Sequence, residues 1–405
     1  MQTFTPREYL MIDIANSYGL DKLDWNLRID WFKQNEDKLM SLLDTAKTPA
    51  LYYAGVKAWQ NVLDGKATGY PISLDGTSSG LQILAALTCD RSAALLCNVL
   101  DSGSRENAYT GIYQAMLDKL GETGHINPDE VKQAIMTALY GSEAEPVKIF
   151  GTGALLNTFY TTMEELAPAV WNLNKAFLDM WNPTALSYDW VMPDNFNVHI
   201  KVIRTTEETV NFLNTPYKVI QKVNAPKKIG RSIGANLTHS VDGMVVREMA
   251  RRCMYDPQVV SDAKSILMNH GKTVGQDPAG HLPSRQTDEV LALWQHYKES
   301  GYLSARILDS INIMNVRYLD KDVVLALIDS LPVKPFTLVS VHDCWRCLPA
   351  YGNDLRYQYN LQLQLIAKSN LLGCLVGQIV GHPVQSPKSD PSMADEILQA
   401  NYALS

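Results

Sequence analysis

Segments with strand character are few, short and far apart in this chain. Residues 70–75 (YPISLD) form an apolar run closed by Asp-Gly, and residues 336–341 (FTLVSV) form another, followed at once by His342-Asp343. Between them, residues 187–192 and 196–203, joined by Pro193-Asp194-Asn195, have the pattern of a hairpin. Stretches of helical period fill most of the rest. A chain patterned this way builds small sheets wrapped by helices, so the expected fold class is α+β, mostly helical.

The periodicity predicts helices over residues 27–46, with Ile29, Phe32, Leu39, Leu42 and Leu43 inward, and over 49–63. A further helix is expected over 78–88, capped by Thr77 or Ser78. Residues 155–181, 239–253, 256–269, 286–299, 322–330 and 352–376 are also expected to be helical. The sharpest local pattern lies at 127–140. Asn127 suits an N-cap, Pro128 the first helical position, and Glu130 the third place of a capping box. Val131, Ile135 and Leu139 then make a core stripe, and Lys132, Met136 and Tyr140 a parallel stripe beside it. An ammonium and a phenol thus share a helix face about 12 Å long, and Gly141 follows.

Composition constrains the partners. A net charge of −7 runs against a polyanionic ligand, because phosphate neutralisation calls for surplus Lys and Arg. The charge is uneven, however. Lys218, Lys222, Lys227, Lys228 and Arg231 form a stretch free of acids, and Arg247, Arg251 and Arg252 form another cluster. A basic groove on an acidic body fits this pattern, as does a partner chain that supplies charge. Of the six cysteines, only Cys344 and Cys347 are spaced as a CxxC, too few for a four-ligand zinc site. No apolar stretch has membrane-spanning length, and the N-terminus lacks signal-peptide character. A soluble protein of a reducing cytoplasm is expected.

The candidate chemistry starts with two aspartates. Asp75 and Asp343 each end an apolar strand, and carboxylates at a sheet edge are what a hard cation such as Mg²⁺ needs. Two such ions support phosphoryl transfer. Taken singly, each aspartate has an ordinary reading, Asp75 as a helix cap and Asp343 as a turn residue. Lys132 at a helix start suits a triphosphate, although a lone helical lysine is usually a solvated one. Tyr140, His239 and His342 complete the candidates, and each alone could simply pack.

Together these residues resemble the single-subunit RNA polymerases of phages and mitochondria. DGTSSGLQ (75–82) is similar to that family's motif A, KQAIMTALYGS (132–142) to motif B, and VHDCW (341–345) to motif C. HSVDG (239–243) is similar to its His-Ser-x-Asp-Gly element, WVMPDNF (190–196) to the segment between motifs B and C, and EILQANYALS (396–405) to its C-terminal foot. The resemblance implies a right-hand polymerase fold and transfer of ribonucleotides to an RNA 3′ end on a DNA template. Asp75 and Asp343, with the Gly76 carbonyl, would hold two Mg²⁺ ions. Lys132 would contact the triphosphate and protonate pyrophosphate. Tyr140 and Gly141, with His239, would sense the ribose, Ser79 and Gly80 would leave room for it, and His342 would lie near the 3′ end.

The implied organisation is N-terminal helices and first palm segment over 1–105, fingers over 106–238, a palm helix with a helical insertion (254–330) over 239–335, and second palm segment with foot over 336–405. Three departures stand out. The family's arginine four residues before the motif B lysine is Pro128 here. The family's Asp-x-x-Gly-Arg element and the N-terminal region around it have no counterpart, and neither has the insertion. The resemblance therefore implies the larger subunit of a heterodimeric RNA polymerase of N-four-like phages. A second polypeptide would carry the missing part, inside an infected bacterial cell. The alternatives are a DNA polymerase of the Pol I type, which carries a glutamate near the Gly80 position, and a non-catalytic DNA-binding subunit.

Overall fold

The computed structural model of the chain describes residues 1–121, 126–141, 143–270 and 284–405. Helices α1 (Pro6–Ala15), α2 (Trp25–Asn35) and α3 (Pro49–Leu63) form the N-terminal layer. Thr5 starts α1 through a reciprocal capping box with Glu8. The helix expected over 27–46 breaks at Asn35 and continues as a 3₁₀ segment, Glu36–Thr45. The Asn35 side-chain amide donates to the Trp31 carbonyl at 2.7 Å and competes with the helix ladder there. Phe32 and Leu39 still face inward, joining Leu10, Ile14, Tyr52, Val56 and Trp59 in a core of their own.

Strand β1 (Ile72–Asp75) follows. It buries Ile72 and Leu74 and leaves Asp75 open, the alternation a half-buried strand must show. Helices α4 (Ser79–Thr88), α5 (Arg91–Leu96), α6 (Ala108–Leu120), α7 (Pro128–Ala138), α8 (Ala144–Phe150), α9 (Ala154–Leu166) and α10 (Pro168–Asp179) come next. In α7, Val131, Ile135 and Leu139 are buried as their spacing predicts, and Asn127 caps the helix by accepting from the Asp129 amide. Two hairpins follow, β2 (Ser187–Val191) with β3 (Asn197–Lys201), and β4 (Ile203–Phe212) with β5 (Thr215–Asn224). The latter is a two-stranded ribbon exposed along nearly its whole length, which the sequence reading did not anticipate.

Helix α11 (Ser232–Cys253) starts well before the expected His239, so that histidine sits mid-helix. Helices α12 (Pro257–His270), α13 (Arg285–Ser300) and α14 (Lys321–Asp329) then build a separate apolar core around Leu267, Val290, Leu293, Ile307 and Val324. These helices fall in the stretch 254–330, of which 271–283 lie outside the described residues. The chain returns through β6 (Val339–Val341) and β7 (Cys344–Cys347) to α15 (Gly352–Lys368) and α16 (Leu371–Val380). The break between the last two falls at Ser369–Asn370, inside the stretch expected as one helix. Only the last three residues of the run 336–341 are strand, because the Phe336 amide is tied to the Cys253 carbonyl at 2.7 Å instead. Among the described residues no single helix is long and apolar enough to cross a membrane.

The three-stranded sheet is antiparallel, in the order β1-β7-β6. Asp75 and Val341 both pair with Cys344, so His342-Asp343 is the two-residue turn between β6 and β7. The outer edge of β1 is covered rather than bare. Asp13 Oδ1 accepts from the Ser73 amide at 2.7 Å, and residues 403–405 exchange backbone bonds with Asp75 and Thr77.

Candidate active site

The register of this sheet places the two aspartates side by side although they are distant in sequence. The Gly76 amide donates to the Asp343 carbonyl at 3.0 Å, and a Cβ on Gly76 would lie 3.4 Å from the Asp343 Cβ. Asp75 opens onto the cleft, yet its enclosing walls, and then the neighbouring Asp343, push its carboxyl up to about 6. Arg105 works the other way. Two carboxylates crowded in this way, beside a backbone carbonyl, fit a hard divalent cation that draws its remaining ligands from water and substrate phosphate. Among the described residues no group of three or more His, Cys, Asp or Glu side chains forms a cage that would hold a metal without substrate.

A cavity of about 300 Å³ lies on one side of the pair. Its lining includes Gly76, Ser79, Gly80, Tyr140, His239, His342 and Asp343. Tyr140 follows the last turn of α7, where Gly141 takes φ +81° and turns the chain away. The Tyr140 ring stacks on His239, with centroids 4.8 Å apart and planes 14° from parallel. Its hydroxyl stands over Gly80, where a Cβ would come within 2.3 Å of it, so only glycine fits beneath. Burial, and then Asp242, push the phenol up to about 12, so it keeps its proton to donate. Gly141 lines neither this cavity nor its neighbour, and Ser142 lies outside the described residues.

A wider cleft of about 690 Å³ opens on the other side, and Asp75, Gly76, Thr77, Tyr109 and Lys132 all line it. Lys132 points across α6, its ammonium 5.5 Å from the Tyr109 ring centroid. Lys22, Arg105 and Arg346 add cationic side chains from three other segments. Six of the predicted residues thus share one cavity with Asp343, while Lys132 and Asp75 meet in the adjoining cleft.

The sequence reading missed Asp242, which lines the smaller cavity. Burial, and then Asp343, raise its carboxyl, while His239 and His342 oppose them. The signal was available in HSVDG, since positions three apart on a helix share a face once the segment is known to be helical. Arg105 and Lys22 were missed because they stand in loops, where no periodicity marks them.

The two basic clusters meet different fates. Lys218 pairs across the ribbon with Glu207, and Arg231 pairs with Glu143, both at 2.5 Å on the surface. The second cluster faces inward. Arg247 and Arg251 both bond the buried Asp194, and Arg251 also bonds the buried Glu248. Arg252 is itself buried and donates to Gln358 and Ser330. Burial alone would raise the Asp194 carboxyl, but these arginines hold it below the usual range. These three guanidiniums build structure rather than a basic groove. Cys344 and Cys347, the CxxC pair, are free thiols on β7.

A carboxylate pair, a cationic cleft and a tyrosine–histidine pocket thus meet at the turn between β6 and β7. Comparison with known proteins narrows this. Residues 5–149 match the family model for DNA-dependent RNA polymerase. A probable DNA-directed RNA polymerase of Neurospora crassa is 29% identical over 154 residues, covering 33% of this chain and 17% of that protein. This segment, which holds Asp75, Gly80, Lys132 and Tyr140, is thus similar to DNA-dependent RNA polymerases, and the chain spans a small part of that relative's length.

Proposed function

We propose that this chain carries the nucleotidyl-transfer centre of a DNA-templated RNA polymerase, adding ribonucleoside triphosphates to an RNA 3′ end. The observation that carries the reading is the β1-β7-β6 register. It sets Asp75 beside Asp343 at the junction of a lysine-bearing cleft and a tyrosine-bearing cavity.

Asp75, Asp343 and the Gly76 carbonyl would hold two Mg²⁺ ions, which when bound activate the attacking hydroxyl and stabilise the leaving oxygen. Lys132, in the first turns of α7, places its ammonium where the helix dipole also favours phosphate, and it can hand a proton to departing pyrophosphate. Tyr140, fixed by its stack on His239, offers a hydroxyl to the 2′-hydroxyl of the sugar. Ser79 and Gly80 leave the ribose room, and His342 borders the space for the 3′ end. A second polypeptide completes the machine in this proposal. Its test is whether another chain bearing Asp-x-x-Gly-Arg co-purifies with this one.

The rival reading, a DNA polymerase, needs a carboxylate to exclude the 2′-hydroxyl. Here the residue facing the Tyr140 hydroxyl is Gly80, which has no side chain to do so. Primed extension with ribo- and deoxyribonucleotides decides between them. Ribonucleotides are expected to win, and Tyr140→Phe should lower the preference by roughly tenfold while slowing ribonucleotide addition less. A clear preference of the wild type for deoxyribonucleotides sinks the proposal.

A further inference from the structure

We infer that Arg105 grips the phosphate tail of the incoming nucleotide and so replaces, from the opposite wall of the cleft, the contact that Pro128 cannot make. The inference rests on the polymerase reading. The first turn of α7 lines the cleft with Pro128 and Asp129, neither of which attracts an anion, and among the described residues Lys132 is the only cation of α7 that lines it. A triphosphate held by one ammonium is poorly neutralised, whereas a guanidinium adds parallel donors in a fixed fork.

Arg105 meets the requirement in three ways. It is anchored, since its amide donates to Asp24 and its Nε to the Ser405 hydroxyl, both at 2.7 Å. Among the described residues its two terminal nitrogens have no hydrogen-bond partner, and no carboxylate lies at ion-pairing distance. It lines the cleft with Asp75, and its anchor Ser405 exchanges backbone bonds with Asp75, so a phosphate bound over Asp75 falls within its reach. Arg28, which shares Ser405 with it, is committed: it is fully buried and gives its donors to Leu23, Asn16, Asp21 and Ser405. Arg346 also lines the cleft, but from the middle strand β7, with its Nε buried and without a partner among the described residues.

The test uses the polymerase as purified, with any chain that accompanies it, on a preassembled template–RNA scaffold. Arg105→Gln is expected to raise KM for the nucleotide roughly tenfold or more, with kcat, scaffold affinity and melting temperature little changed. Inorganic tripolyphosphate, a competitive inhibitor of the wild type, should weaken on this variant by a similar factor. Arg105→Lys should recover part of both effects. Arg91→Gln, which alters a surface arginine bonded to Asp390 and Glu396, should change neither. Unchanged KM and unchanged tripolyphosphate inhibition overturn the inference alone. So does a rise in KM matched by lost scaffold binding and a lower melting temperature, since that marks a structural role. A wild-type protein that adds no ribonucleotide overturns the polymerase reading as well.

Discussion

Two hairpins in this molecule close with two-residue turns, and their settings are opposite. The turn between β6 and β7 carries His342, at φ +56°, and Asp343, and its β7 strand is pinned by β1 against the main core. The turn between β4 and β5 carries Leu213 and Asn214, at φ +48° and +63°, and its two strands pair only with each other. Both place a side-chain-bearing residue in the left-handed region, which is unfavourable without compensation. In the first, the strained residue borders the Asp75–Asp343 pair, and the third strand holds it there. In the second, the strained leucine is 83% exposed at the tip of a free ribbon. Strain braced by a third strand is held in one geometry, whereas strain at an open tip is free to relax.

Substitutions separate the two hairpins. The largest effect is expected on the supported one. Asp343→Asn should reduce nucleotide addition by roughly 10³-fold or more in single-turnover extension, with template binding kept, because the charge serves the chemical step. An active variant would show that the turn is merely a turn. Gly80→Ala comes next. Its methyl meets the Tyr140 hydroxyl, and a displaced ring should cost addition about 10²-fold while the fold survives. Acid titration is milder. With its carboxyl pushed up to about 6, Asp75 is protonated below that pH and can no longer hold a cation. Addition should then fall about tenfold per pH unit, and more Mg²⁺ should move the midpoint lower by competing with the proton. A flat profile from pH 7 to 5 would count against Asp75. The smallest effect belongs to the ribbon. Leu213→Gly relieves the turn and should add up to about 1 kcal/mol in denaturant unfolding. Addition on a preassembled scaffold should not change; if it does, the ribbon takes part in chemistry.

How much of this was legible before the fold is uneven, for physical reasons. The stripes of α7 were readable because its core face is apolar at every turn and its caps are explicit. Asp75 was readable because Asp-Gly must end a strand. The true start of α11 was hidden, since its buried face there carries Gly234 and Thr238, both weak helix formers. That concealed Asp242, one turn beyond His239. The β4–β5 ribbon was invisible because exposure on both faces leaves no alternation to detect. The arginines of α11 misled for a related reason, in that charge in a sequence does not say which way it points. The meeting of Asp75 with Asp343 depends on a register no local pattern encodes, and only the order of motifs anticipated it.

Helix α11 has one more consequence. It runs unbroken for 22 residues, about 33 Å, with His239 and Asp242 near its middle and Glu248 nearer its C-terminal end. Glu248 is wholly enclosed, and besides Arg251 it accepts from the Ser304 hydroxyl and the Ala305 amide of the insertion, while Arg306 reaches the Asp194 carbonyl. The helices of 254–330 are therefore tied into the same rod that carries His239 and Asp242, and cutting them away would uncover Glu248 and leave it Arg251 alone of its three partners.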